Sequence, residues 1–275
     1  MDRDTYDRID ALNFSRLKAM EDCPAVFWHG MQNVEKDKDA FRLGRAFHTA
    51  TLEPDEWDTR FAVWTGGNKT KARAKWEEFQ ENHSNHDILT PAEADQARKM
   101  AQSVRQNRVL GPMVRGGESE LAVTWRHEGR VTADLKGMLD HVTLAKDAIL
   151  DLKSTLHPDP RRFGSDAFRY LYFVQAAMYV DGYAATHGGV MLPYYIGAVG
   201  KPAPHVAQAY QVTDAQLQMG RETYERWLDL YVGCKAAGHF GGYAVGALEL
   251  ELPAWAMDED ETDVADDFHV PTKEA

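Results

Sequence analysis

Between Glu118 and Ser154 the chain stops repeating at helical intervals and begins to alternate in twos, and the rest of the sequence must be arranged around that change of period. Glu120-Leu-Ala-Val-Thr-Trp, then Gly129 to Asp140, then Ala148-Ile-Leu-Asp-Leu-Lys predict three consecutive antiparallel strands joined by tight turns. Asp140 closes the second apolar run. After a charged turn, Ala145 to Ala148, the third run carries Asp151 and Lys153 on one face while Leu150 and Leu152 point to the other and pack. Two acids and a lysine gathered across a hairpin meet the minimum for metal-dependent phosphodiester chemistry. The acids hold a hard divalent cation, and the cation lowers the pKa of a bound water. The lysine supplies positive charge where negative charge develops on the phosphoryl group. A solvated strand edge with one ion pair would read the same way, so the remaining segments carry the decision.

Helices are predicted on both sides of these strands. Leu12 to Gln32 reads as a helix opened by Asn13 or Ser15 as cap, with a turn at Cys23-Pro24 and with Phe27 and Trp28 packing beyond it. A second helix, from about Asp37 to Leu52, places Gly44 and His48 one turn apart on one face, with Arg45 beside them. Glycine inside a helix costs on the order of 1 kcal/mol against alanine, and it often marks a close approach. His48 in that setting is a candidate metal ligand, although a lone histidine there is more often a core or surface residue. Residues 53–69 read as irregular, with an extended piece from Arg60 to Trp64. Lys69, Lys71, Arg73 and Lys75 lead into an amphipathic helix ending near Glu81. With Trp76 and Phe79 beside them they could touch a DNA backbone, and a solvated helix face explains them equally well. Pro91 to Leu110 predicts a helix, Ser165 to Ala185 one long aromatic-rich helix, and Asp214 to Ala237 the last helix. Val190–Val199 and Ala203–Val212 predict two more strands. Gln175 and Tyr179 share a helix face, a spacing that by itself more often gives a half-buried contact than a site.

A formal net charge of −12 argues against a nucleic-acid binder, since phosphate contacts need local positive potential. The charge is unevenly placed. From Asp258 onward eight acids face Lys273 alone, so this segment supplies −7 of the total. Residues 257–275 are therefore expected to form a flexible acidic tail. Residues 1–256 are read as a single domain, with a helical part at about 10–112 and a catalytic sheet with helices at about 113–240. Two cysteines, Cys23 and Cys234, imply no disulfide framework, and no apolar run approaches the length of a membrane span. The opening MDRDTYDRID has no basic and apolar leader pattern, so a cytoplasmic setting is expected.

Taken in order, Leu-Asn-Phe-Ser-Arg-Leu with Cys23-Pro24, Gly44-x-x-x-His48, Glu120, Gly137-x-x-Asp140, Asp151-x-Lys153 and Gln175-x-x-x-Tyr179 form a set. The set resembles the RecB-type branch of the PD-(D/E)XK nucleases, over about residues 10–240. Within that branch it is most similar to the exodeoxyribonuclease VIII C-terminal nuclease and the phage recombination exonucleases, and lambda exonuclease is a more distant relative. The resemblance implies an α/β fold with a restriction-endonuclease-like core, a mixed central β-sheet flanked by helices, and a helical N-terminal part. It implies Asp140 and Asp151 as metal carboxylates, Lys153 as catalytic lysine and His48 as a further ligand. Glu120 would be the acid of the first strand, with Glu118 close enough to compete for that role. Gln175 and Tyr179 would brace the site. Arg45, Lys69, Lys71 and Arg73 are the DNA-contact candidates. Implied too are Mg2+ or Mn2+, one or two ions per site, and hydrolysis of one strand of linear duplex DNA from its 5′ end. The 3′ overhang so made would serve a single-strand annealing partner, in a ring-shaped trimer or tetramer, inside a bacterial or phage-infected cell. Two departures stand out. Asp151 takes a position where glutamate is common, and two cysteines cannot supply the four thiolates of the iron–sulfur cluster found in some relatives, so no cluster is expected. A nicking or structure-specific endonuclease of the same fold, or an inert module that binds DNA ends, are the competing readings.

Overall fold

In this computed structural model residues 1, 3–33, 39–243 and 246–251 are described. Met1–Gly241 forms one unit, and the described part of the segment beyond it contains no helix or strand. The acidic tail at 257–275 and the expected helix start at Asp37 lie outside the described residues. The N-terminal half is helical: α1 (Arg3–Arg8), α2 (Phe14–Leu17), a 3-10 turn (Lys18–Glu21), α3 (Pro24–Gln32) and α4 (Asp39–Leu52). It continues through α5 (Trp57–Arg60), β1 (Phe61–Val63), α6 (Arg73–Asn82), β2 (Asp87–Leu89), α7 (Pro91–Gln106) and α8 (Leu110–Met113). Then follow β3 (Glu118–Glu128), β4 (Thr132–Val142), β5 (Ile149–Thr155), α9 (Pro160–Arg169), α10 (Tyr172–Thr186), β6 (Tyr194–Gly200), β7 (Ala207–Val212) and α11 (Asp214–Ala237).

Local chemistry sets most of these boundaries. Asn13, not Ser15, caps α2, its side chain accepting from the Arg16 amide at 2.9 Å. Thr90 and Glu93 close a reciprocal capping box ahead of Pro91, and Thr213 and Gln216 do the same for α11. The helix expected to run from Pro91 to Leu110 stops at Gln106. There Asn107 turns extended and its side chain accepts from the Val109 and Leu110 amides, starting α8 instead. The single helix expected from Ser165 to Ala185 is two. α9 starts earlier, with Asp159 as cap and Pro160 in its first turn, and it ends before Leu171, whose φ of 61° is left-handed. The extended piece at Phe61–Val63 pairs in parallel with Asp87–Leu89, a partner the sequence did not reveal.

The five-stranded sheet runs in the order β3-β4-β5-β6-β7, with β5 and β6 parallel and every other neighbouring pair antiparallel. Alternation divides the strand residues between two cores. Leu150, Leu152 and Val199 pack with Phe47 of α4 and with Ala97, Met100 and Val104 of α7. Ile149, Leu139 and Ile196 pack on the opposite side with α2, α3, α10 and α11. This is the mixed sheet between helical layers that the resemblance implied. One joint within it is open. The β4–β5 ladder holds only at His141–Leu150 and Val142–Ile149, so the strands fork just where Asp140 and Asp151 would have faced each other.

Candidate metal-dependent active site

The fork leaves the Leu152 backbone without a strand partner on the β4 side, and side chains take its place. The Leu152 amide donates to Asp140 Oδ2 at 2.8 Å. The Leu152 carbonyl accepts from His48 Nε2 at 2.9 Å, which fixes the proton on that nitrogen because a carbonyl can only accept. His48 Nδ1 is thereby turned toward Asp140 Oδ2, 3.5 Å away. Helix α4, packed on the Leu150–Leu152 face, thus reaches round the edge of β5 into the fork.

Glu120 enters from the other side of β4. Its neighbours Ser119 and Leu121 pair with His141 and Leu139, which puts Glu120 opposite Asp140. Its φ of 50° lies in the left-handed region, a strained conformation for a residue with a side chain and one that concentrates at functional sites. Donor atoms of His48, Glu120 and Asp140 all lie within 4.8 Å of one another. Glu118, two residues earlier, is exposed and pairs with Lys146 at 2.8 Å, so the strand offers Glu120 to the cluster and not Glu118. Arg60, held by Glu53 at 2.6 and 3.0 Å, adds positive charge toward Glu120.

Asp151 and Lys153 project to the α10 side. Asp151 is 2% exposed, and its Oδ1 accepts from Gln175 at 3.4 Å. Lys153 Nζ lies 2.7 Å from Asp151 Oδ2, a short charge-assisted contact. Burial pushes the Asp151 carboxyl up and the nearby Asp140 charge adds to this, while Lys153 pulls it back, leaving it at about 6. Burial works against the Lys153 ammonium, but Asp151 and Asp140 outweigh it and raise its pKa, so it stays charged. Tyr179 is buried behind this pair, and burial raises its phenol well above the ordinary range. A Cβ at Gly137 would sit 3.0 Å from the Tyr179 ring, which gives the Gly137-x-x-Asp140 spacing a physical reason.

These groups suit a divalent cation. Glu120, Asp140 and Asp151 against Lys153 leave two net negative charges, the donors are hard oxygens with one imidazole nitrogen, and His48 already gives its other N–H to a backbone carbonyl, as metal-bound histidines do. Asp151 lies outside the three-residue donor cluster and borders it through Lys153.

The remaining candidates sit elsewhere. Arg45 makes a two-pronged contact with Asp87 at 2.8 and 3.0 Å. Lys69, Lys71 and Arg73 lie on an exposed stretch, where Lys69 covers the Trp76 ring at 4.0 Å and Arg73 pairs with Glu77 at 2.8 Å. Gly44 shows no close approach, since nothing described lies within 4 Å of a Cβ built there. Cys23 is buried and Cys234 partly so, both as free thiols. Three residues were missed. Tyr172 places its ring 5.0 Å from Lys153 Nζ, Tyr194 is buried beside Asp151, and Lys18 is near enough to Lys153 that burial first, then repulsion, lowers its pKa. Tyr172 precedes Gln175 by three residues, a helical spacing that could have found it. Lys18 carried no such signal.

Forked strands that present Asp140, Asp151-x-Lys153 and a preceding glutamate define the restriction-endonuclease-like core of the PD-(D/E)XK class. The chain belongs to the family described as a PDDEXK-like domain of unknown function, DUF3799, whose model matches residues 13–249. Among solved structures it is similar to a protein from Eubacterium rectale provisionally described as an exonuclease, at 15% identity and a TM-score of 0.58, covering 95% of this chain and 99% of that one. A second structure, SSO0001, matches at 11% identity and a TM-score of 0.30 over 73% of this chain and 92% of that one, too remote to carry an argument. No curated protein matches the chain. No helix among the described residues is long and apolar enough to cross a membrane.

Proposed function

We propose that the protein is a metal-dependent deoxyribonuclease acting as an exonuclease on linear duplex DNA. The observation that carries the reading is the fork: it gathers His48, Glu120 and Asp140 into one donor cluster beside the pair formed by buried Asp151 and half-buried Lys153. His48, Glu120, Asp140 and the Asp151 carboxylate would hold Mg2+ or Mn2+, one or two ions. When bound, such an ion supplies Lewis-acid polarisation of the phosphate and lowers the pKa of water. The chain's own residues do the rest. Lys153, with Asp151 taking one of its three donor directions, offers its ammonium to a phosphate oxygen as charge accumulates there. Asp140 and His48 stay oriented because each is tied to the rigid β5 backbone through Leu152. Gln175 and Tyr179 hold the Asp151 side from α10. Water adds to phosphorus, and one ester oxygen leaves as a hydroxyl.

Exonuclease action, 5′ to 3′ polarity, a 3′ overhang for recombination, an annealing partner and a ring-shaped trimer or tetramer belong to this proposal. The provisional exonuclease description of the Eubacterium rectale structure supports exonuclease action, and the rest is what the resemblance of the ordered motif set implies. A covalently closed duplex and its linearised form separate exonuclease from endonuclease. The linear form should be consumed with Mg2+ and the closed circle left intact, whereas nicking of the circle would favour the endonuclease reading.

A further inference from the structure

The junction between α9 and α10 is bent against local preference. Leu171 sits at φ 61° and ψ 38°, a left-handed conformation that is unfavourable for a side-chain-bearing residue. The bend has a geometric result. In an unbroken helix residues two apart project to nearly opposite sides, roughly 200° from each other. Here the rings of Tyr170 and Tyr172 stack instead, 5.8 Å apart at 29°. Tyr172 is half-buried, lies against core Phe163 at 6.1 Å and holds its ring 5.0 Å from Lys153 Nζ. Tyr170 is 42% exposed, and the Arg169 guanidinium covers its ring at 5.7 Å. The Lys153 ammonium, the Tyr172 and Tyr170 rings and the Arg169 guanidinium follow one another in a path from the half-buried lysine to solvent. Phe168, 65% exposed, stacks on Phe173 at 6.0 Å, and Arg161 and Arg162 stand exposed on α9. A cluster that served only the core would bury its outer rings.

We propose that Tyr172 and Tyr170, backed by Arg169, form a stacking track for unpaired bases of the DNA strand whose phosphates are delivered to Lys153. The proposal rests on the nuclease reading above and adds how that site takes its substrate. Aromatic faces accept any base, while the arginines attract the phosphate backbone, so the track would be strand-selective without being sequence-selective.

The test uses the full chain in chelator, so that binding is read without hydrolysis. Fluorescence anisotropy compares a duplex ending in a short thymidine arm, 5′ or 3′ in turn, with the same duplex ending in an abasic arm. The wild type should bind one thymidine arm about tenfold more tightly than its abasic counterpart. Tyr170→Leu should erase that preference, and Tyr170→Phe, which keeps the ring, should restore it. Tyr170→Leu should still hydrolyse a base-free aryl phosphodiester with Mg2+ at close to the wild-type rate. Equal binding of both arms by the wild type, or an unchanged preference in Tyr170→Leu, would overturn the track while leaving the nuclease reading in place. A wild type that hydrolyses neither DNA nor the aryl ester would instead remove the nuclease reading, and the track with it.

Discussion

Glu118 and Glu120 stand two residues apart on β3 and meet different surroundings. Glu118 lies in solvent with Lys146, whereas the left-handed backbone at Glu120 turns its carboxylate to His48 and Asp140. Glu118→Gln should leave divalent-ion affinity and cleavage within about twofold of wild type, as exposed ion pairs contribute little. Glu120→Gln should weaken ion binding by about tenfold or more, read by calorimetry with Ca2+ or Mg2+. Asp151 makes a pH prediction with a definite sign. Its carboxyl is raised to about 6 from the usual 3.8, so the folded chain binds that proton more tightly than the unfolded one. The stability this contributes is complete below about 3.8 and is lost as pH rises through about 6, leaving a buried charge at neutral pH. A divalent ion beside it offsets that charge. Mg2+ should therefore raise the thermal midpoint more at pH 7.5 than at pH 5, and an equal rise at both would place the ion elsewhere.

At the scale of elements, the decisive feature is that β4 and β5 separate after two residue pairs, which exposes the Leu152 amide and carbonyl to Asp140 and His48. Gly137, on β4, lets α10 press the Tyr179 ring against the sheet. Gly137→Ala would put a methyl 3.0 Å from that ring, and denaturant unfolding should show a loss of about 1–3 kcal/mol with reduced cleavage. The strands and their acids were legible because period-two alternation is read directly from residue types, and Asp151-x-Lys153 lands on one face by that rule alone. Helix ends set by caps were legible to within a few residues where Thr90 and Thr213 mark them. The break at Leu171 was not. Nothing in the helix propensity of Tyr-Leu-Tyr signals a left-handed residue, because the strain there is set against packing of Tyr172 on Phe163, which itself stacks on Tyr210 of β7. Lys18 and Tyr194 were hidden for a related reason: each reaches the site through packing between distant segments, which no local spacing encodes.

For the molecule as a whole, the two cores divide the labour of the site. The α4–α7 layer supplies His48, the α10–α11 layer supplies Gln175, Tyr172 and Tyr179, and the sheet between them supplies the acids and Lys153. The net charge of −12 does not oppose DNA as a substrate, since the segment from Asp258 onward carries −7 of it and the site itself carries acids meant for a cation. The most direct measurement is time-resolved digestion of a linear duplex labelled separately at each end, with and without Mg2+, for the wild type and Lys153→Ala. Nucleotide release should depend on the metal and begin at one labelled end in the wild type, and it should fall at least about a hundredfold in Lys153→Ala while Ca2+ binding persists. Full activity in Lys153→Ala, or equal release without any divalent ion, would contradict this mechanism.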